Sequence, residues 1–336
     1  MSYLKGKKIF VTGGTGFLGS HLLEALVDEG AVVSALYRSE EKLKSFKEQD
    51  KSLKNLNINW VKGDLFSDWS LKDFDFVYHL AGYVGYTKEE RRMMEKVNIE
   101  GTRAVISKIR EAEYKPKMIY SSSVVAVGAG LQKGDILNED SSFNVSKYNF
   151  GYFETKKKAE ELVFEEVRKG LRAVAFNPST IYGPRDMLKG SRKFQLKMAK
   201  GELSVCSKGG VSIVHVLDVC DAIIKAAEHG KSGERYILSG DNITIFELLS
   251  EIAKQVNVKP PRIVLPTMVL LLLGYLSKGL SFLGIKTGLS LENLQVATMY
   301  HWFDSAKAKK ELGFAPRSHK EALKDSLSWA KEKGLF

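Results

Sequence analysis

Lys8-Ile9-Phe10-Val11-Thr12-Gly13-Gly14-Thr15-Gly16-Phe17-Leu18-Gly19 is the stretch on which the reading of the chain turns. Ile9, Phe10 and Val11 form a short apolar run of the kind that makes a buried strand. Four glycines follow. Gly14, Gly16 and Gly19 give G-x-G-x-x-G, and Gly13, Gly16 and Gly19 give G-x-x-G-x-x-G. Ser20 to Leu26 then carries a helical pattern, with Leu22, Leu23 and Leu26 on one face. Either glycine spacing alone is a weak signal. Strand, glycine turn and helix in succession make it a phosphate site, because a pyrophosphate reaches backbone N–H groups only where no Cβ stands in the way, and the helix N-terminus favours its charge.

The 336 residues are enough for one or two domains with a large core. Hydrophobic content of 44% and charged content of 27% are those of a water-soluble globular chain. The formal charge of +11 is spread along the chain; it suggests anionic ligands or surfaces and lacks the concentrated basic patch of a nucleic-acid binder. Cys206 and Cys220 are the only cysteines. They form neither a C-x-x-C pair nor a metal-binding spacing, which predicts two small core side chains and a reducing compartment. MSYLKGKK lacks the apolar core of a signal peptide, so the expectation is a cytoplasmic protein. Met268 to Leu276 is strongly apolar but is followed by Lys278, and it is about half of what a membrane span needs. It reads as a buried or dimer-facing helix, or as a surface that meets a membrane or a lipid-like substrate.

Working outward from the glycines, further strands are expected at Ala31–Tyr37, Ile58–Val61, Phe74–Leu80, Met118–Ser121 and Val174–Phe176. Long helical patterns lie between them, at 88–113 and 150–168. Such alternation implies an α/β protein with a doubly wound parallel sheet of the Rossmann type and ligands at the strands' C-terminal ends. After Pro178 the strands read as short and helices dominate, with Asp304 as an N-cap and Gly313 as the matching stop. The expected organisation is a dinucleotide-binding domain over 1–178 and a small, mainly helical substrate lobe over 179–336, with a segment near 211–240 returning to the core.

Tyr152 and Lys156 are four apart on a predicted helix and so share a face. Tyr-x-x-x-Lys is common by chance. Here it follows a strand ending in Ser121-Ser122-Ser123, and serine, phenol and ammonium together make a proton-transfer set. A lysine ammonium beside a phenol favours the phenolate.

The sequence resembles the extended short-chain dehydrogenase/reductases of the NAD-dependent epimerase/dehydratase group, from about Lys7 to Gly334. The resemblance rests on T-G-G-T-G-F-L-G at 12–19, G-D-L at 63–65, H-L-A-G at 79–82, V-N-I-E-G-T at 97–102, Y-S-S-S at 120–123, Y-F-E-T-K at 152–156 and N-P-S-T-I-Y-G-P at 177–184. Within the group it is similar to dihydroflavonol-4-reductase-like proteins and to the hopanoid-associated sugar epimerase family. The resemblance implies Tyr152 as acid/base and Lys156 as the residue that holds the nicotinamide ribose. It implies Ser123, with Ser122 as competitor, on the substrate oxygen, and Asn98 steadying the lysine. Gly13, Thr15, Gly16, Phe17, Leu18 and Gly19 would cradle the pyrophosphate, Asp64 and Leu65 would meet adenine, Ala81 and Gly82 would line the cofactor, and Pro178 would lie near the nicotinamide. A homodimer through the two long helices is implied, with no metal. Val127 stands where many sugar epimerases have tyrosine, which favours a reductase or dehydrogenase over a nucleotide-sugar epimerase or dehydratase; a non-catalytic cofactor-binding protein is a further alternative.

An NAD site usually has Asp or Glu about twenty residues after the glycines. Here that strand ends in Tyr37-Arg38-Ser39, and a guanidinium fits a 2′-phosphate. NADP(H) is therefore expected over NAD(H). Tyr83, Tyr86, Met93, Met187, Lys189 and Arg192 are candidates to face a small-molecule substrate.

Overall fold

The computed structural model describes residues 2–85, 88–186, 190–282, 287 and 290–336. The first half alternates as expected: β1 (Lys8–Thr12), α1 (Phe17–Asp28), β2 (Val32–Tyr37), α2 (Glu40–Gln49), α3 (Lys51–Lys54), β3 (Ile58–Lys62), β4 (Phe76–His79), α4 (Lys88–Met94), α5 (Gly101–Glu111), β5 (Lys117–Ser121), α6 (Gly151–Arg168) and β6 (Ala173–Pro178). Then come β7 (Thr180–Tyr182), α7 (Gly190–Ala199), β8 (Val205–Ser207), β9 (Gly210–His215), α8 (Val216–His229) and β10 (Arg235–Leu238). The chain ends with β11 (Asp241–Thr244), α9 (Ile245–Val256), β12 (Ile263–Leu265), α10 (Thr267–Phe282), α11 (Leu291–Val296), β13 (Tyr300–His301), α12 (Ala306–Leu312) and α13 (His319–Glu332).

The central sheet runs β10-β6-β5-β4-β1-β2-β3, and every pair in it is parallel. Parallel sheets are covered on both faces, and the strands show why. Ile9 and Val11 point into one core with Leu22, Leu26 and Ile223, while Phe10 between them points into the other with Val105, Ile109 and Val163. The order of strands reverses between β1 and β4, which opens a crevice at their C-terminal ends. β10 closes the far edge of the sheet, so the sheet is completed by residues well beyond Pro178. A smaller sheet of β7, β9, β11 and β13 and the pair β8–β12 stand beside it.

Several local expectations change. The pattern over 88–113 is not one α-helix: a π-helical segment, Glu95–Glu100, separates α4 from α5. The wider turn adds a residue without disturbing the apolar spacing enough to be read. Ser305, not Asp304, is the N-cap of α12; the Asp304 carboxylate accepts from Ala306 N at 2.9 Å, and Gly313 (φ 61°) ends the helix as expected. Met268–Leu276 is not buried within the chain. Among the α10 residues whose side chains are described, only Leu270, Gly274 and Ser277 are. Among the described residues no helix is long and apolar enough to cross a membrane.

Candidate active site

The crevice is built by close backbone approach. Gly13 has φ +76°, and a Cβ there would lie 2.5 Å from Ala81 N and 2.7 Å from the Leu80 carbonyl carbon. The glycine turn after β1 is thus pressed against the exit of β4, at the point where the strand order reverses. A Cβ on Gly19 would lie 2.3 Å from Gly13 O, so this glycine lets α1 start directly on the turn. Gly16 differs. It is exposed, and a Cβ there would meet only Gly13 O, at 3.2 Å. It also caps α1 without a side-chain acceptor, and the first turn carries no acidic residue. Space above the backbone, N–H groups and a positive helix end fit a pyrophosphate. Thr15 and Phe17 are partly exposed in this turn, and Leu18 is buried.

Thr12, the last residue of β1, begins a directional chain. Thr102 Oγ1 donates to Asn98 O at 2.7 Å, so it accepts from His79 Nε2 at 3.1 Å. His79 Nδ1 then accepts from Thr12 Oγ1 at 2.7 Å, and Thr12 Oγ1 accepts from Ala81 N at 3.4 Å. Burial, with the Lys156 ammonium second, pushes the imidazole down to about 3. His79 is therefore a neutral strut.

Asn98 lies in the π-helical segment and is buried. Its Oδ1 accepts from Tyr83 N at 2.8 Å, and its Nδ2 donates to Tyr83 O at 3.0 Å and Thr155 Oγ1 at 3.2 Å. It fastens the loop after β4 to α6. Lys156, only 6% exposed, donates from Nζ to Ser121 O at 2.9 Å. A Cβ on Gly82 would sit 3.4 Å from Asn98 Oδ1 and 3.5 Å from Lys156 Nζ, so these groups converge where glycine leaves room. Tyr152 is partly exposed one turn earlier, and Gly151 before it packs so tightly on Met94 that a Cβ would lie 2.8 Å from Cε.

Geometry separates the two serines. The Ser122 hydroxyl is buried with no hydrogen-bond partner among the described residues. Ser123 is partly exposed, and its Oγ accepts only a long bond from Val125 N, 3.4 Å. Ser123 is the hydroxyl a ligand can reach. Pro178 is buried at the end of β6.

Arg38 is exposed at the end of β2. The nearby Glu40 carboxylate accepts from Tyr37 Oη at 2.9 Å and pairs with Lys62 Nζ at 3.1 Å; the phenol bond first, and then Lys62, hold its pKa below the usual range. Its charge is thus matched by Lys62. Asp64 is exposed and its Oδ1 accepts from Phe66 N and Ser67 Oγ, both at 2.9 Å, shaping the turn after β3, while Leu65 packs in the core under Gly101. Tyr83 donates its phenol to Glu90 at 3.2 Å. Tyr86, Met187, Lys189 and the side chain of Arg192 lie outside what the structure describes.

Two groups escaped the sequence reading. Glu160, 1% exposed, follows Tyr152 and Lys156 at the same four-residue step and accepts from Asn177 Nδ2 at 2.6 Å, while pairing with Arg235 of β10 at 3.1 Å. Asn177 Nδ2 also donates to Ser123 O at 2.9 Å, so Glu160 and Asn177 hold the serine loop in place. Arg185 (φ +69°) is buried and clamps Glu24 at 2.8 Å and Asp50 at 3.2 Å, tying the loop after β7 to α1 and α3. The four-residue step was legible for Glu160; its partners were not, because Asn177 reaches it from the end of β6 and Arg235 only through the pairing of β6 with β10.

An open glycine turn at the strand-order reversal, beside a buried lysine and a reachable tyrosine and serine, defines a dinucleotide-dependent enzyme of the short-chain dehydrogenase/reductase class. The chain belongs to the NAD dependent epimerase/dehydratase family, whose model matches residues 9–239. It is similar to a putative dihydroflavonol 4-reductase of Synechocystis sp., 29% identical over 97% of this chain and 95% of that protein. It is also similar to sterol demethylase protein B of Methylococcus capsulatus, 28% identical over 97% of this chain and 99% of that protein. Among solved structures, that of gox2253 shares 32% identity with a TM-score of 0.84, covering 98% of this chain and all of that one. The family and the Rossmann-like fold expected from the sequence are both borne out.

Proposed function

We propose that this protein is a cytoplasmic NADP(H)-dependent reductase acting on a carbonyl of a small, largely apolar molecule, and oxidising the corresponding alcohol in reverse. The observation that carries the reading is the convergence of the Lys156 ammonium and Asn98 on Gly82, with Tyr152 one turn away on the lysine's own helix face. In this reading Gly13 to Gly19 hold the pyrophosphate, Asp64 and Leu65 adjoin adenine, Ala81, Gly82 and Pro178 line the nicotinamide side, and Lys156 binds the ribose. A nicotinamide dinucleotide bound there supplies the hydride in reduction. Ser123 Oγ donates to the substrate oxygen. Tyr152 gives that oxygen its phenolic proton and takes it back in oxidation, with Lys156 stabilising the phenolate. The names of the two relatives, a putative dihydroflavonol 4-reductase and sterol demethylase protein B, support an apolar substrate. The two cysteines, free and buried, suit a reducing compartment.

A panel of apolar ketones, with nucleotide sugars beside it, tests the reading: stoichiometric NADPH oxidation with a ketone is expected. Sugar isomerisation without net cofactor consumption would replace it with the epimerase reading.

Cofactor choice is assigned to Arg38, whose guanidinium would take the 2′-phosphate. Arg38→Ala is expected to weaken NADPH binding roughly ten- to a hundredfold, the loss of one or two charge-assisted bonds, and to leave NADH affinity nearly unchanged. Equal loss for both cofactors, measured by fluorescence titration, would remove Arg38 from the selection.

The assembly proposed is a homodimer. Met94, Leu162 and Val163 are buried within the single chain, so the contact would use the outward residues of α5 and α6. Light scattering at micromolar concentration is expected to give twice 37.5 kDa, and a monomer mass would contradict it.

A further inference from the structure

α10 presents its apolar side chains to water. Met268 is 82% exposed, Leu272 59% and Leu276 55%, and Val269, Leu273, Tyr275 and Leu280 are exposed with them. The helix touches the protein along a narrow strip through Leu270, Gly274 and Ser277. Gly274 allows the contact: a Cβ there would lie 2.7 Å from Leu291 Cδ1 and 3.2 Å from Leu291 Cα, so α10 lies directly on α11. The usual arrangement of a surface helix, apolar inward and polar outward, is thus reversed. Ile263 and Val264 of β12, just before the helix, are exposed too, as is Val205 opposite Ile263 on β8.

Charge decides the partner. Between Glu251 and Glu292 the sequence has no acidic residue, while Lys254, Lys259, Arg262 and Lys278 are basic and exposed. We propose that α10 and β12 seat the enzyme on an anionic lipid bilayer, with α10 lying in the interface. At 1.5 Å per residue the helix is about 24 Å long, short of the roughly 30 Å hydrocarbon core, so it lies on the membrane and does not span it. Met, Leu and Val side chains enter the headgroup boundary, Tyr275 sits at the polar level, and the lysines and Arg262 meet lipid phosphates. A second copy of the chain fits less well. A two-fold contact sets a patch against itself, and this segment would bring its cations together with no carboxylate of its own to match them.

Vesicle co-sedimentation tests the proposal on the full chain. Wild type is expected to bind mixed phosphatidylglycerol–phosphatidylcholine vesicles, at least about fivefold more weakly to phosphatidylcholine alone, and less at high salt. Leu272→Glu combined with Leu276→Glu should reduce binding about tenfold or more, with an unchanged circular dichroism spectrum and melting curve, since both side chains are exposed. A second readout needs no loss of function. With Cys206 and Cys220 buried, Met268→Cys offers an exposed thiol for an environment-sensitive dye, whose emission should shift to the blue on the mixed vesicles. Absence of wild-type binding and of the shift would overturn the proposal. So would undiminished binding of the glutamate variant. A wild-type dimer that the glutamate variant turns into monomer, without vesicle binding, would give this face to a second copy instead.

Discussion

Replacing Tyr152 with phenylalanine is expected to lower turnover by about two orders of magnitude or more while cofactor affinity changes little. The substitution keeps the ring and removes only the hydroxyl. Tyr152 is partly exposed on the first turn of α6, and its neighbour Gly151 carries the close packing on Met94, so the helix start stays where it is. Lys156 keeps its bond to Ser121 O, and the glycine turn is untouched. What disappears is the proton for the substrate oxygen. Steady-state rates beside a cofactor titration measure both halves. Near-normal turnover would take Tyr152 out of the chemistry, and an equal collapse of cofactor binding would make its part structural.

Gly13→Ala is expected to destabilise the protein by about 3 kcal/mol, combining the cost of a left-handed alanine with a clash that has no soft partner. The new Cβ would stand 2.5 Å from Ala81 N and 2.7 Å from the Leu80 carbonyl carbon. Both are backbone atoms at the exit of a central strand, and neither can swing aside as a side-chain tip does. For a chain of this length the melting temperature should fall by roughly 4 °C. Gly6→Ala is the control. Gly6 has a nearly identical φ, +74°, with nothing within 4 Å of a Cβ, so it isolates the conformational part, on the order of 1 kcal/mol. If the two variants melt together, the close approach of β1 and β4 does not matter to stability.

Much of this was legible in the sequence because it depends on local pattern. The glycine turn, the alternation of strands and helices, the Tyr152–Lys156 step and the Gly313 stop all follow from residues near one another. What was not legible depends on neighbours distant in the chain. Nothing in Glu160 itself points to Asn177, at the end of the next strand, or to Arg235, which reaches it only because β10 lies beside β6. The π-helical segment that holds Asn98 hides inside a pattern that reads as continuous helix. The apolar run of α10 was legible, but the choice between a covered helix and an exposed surface was not, because hydropathy says what a segment avoids and not whether anything covers it. Ser122 and Ser123 are adjacent and chemically identical, so only burial separates them.

The place of β10 has a consequence for how the molecule is made. During synthesis β1 to β6 emerge first, and the N-terminal part can begin to pack as it appears. It cannot finish. The edge of β6 stays unpaired, and the carboxylate of Glu160 stays without its guanidinium, until Arg235 has been added. An unpaired parallel edge is a template for another chain, and a buried carboxylate without its cation is costly. Until β10 has been made, the nascent cofactor-binding half therefore carries both an open edge at β6 and a carboxylate at Glu160 without its cation.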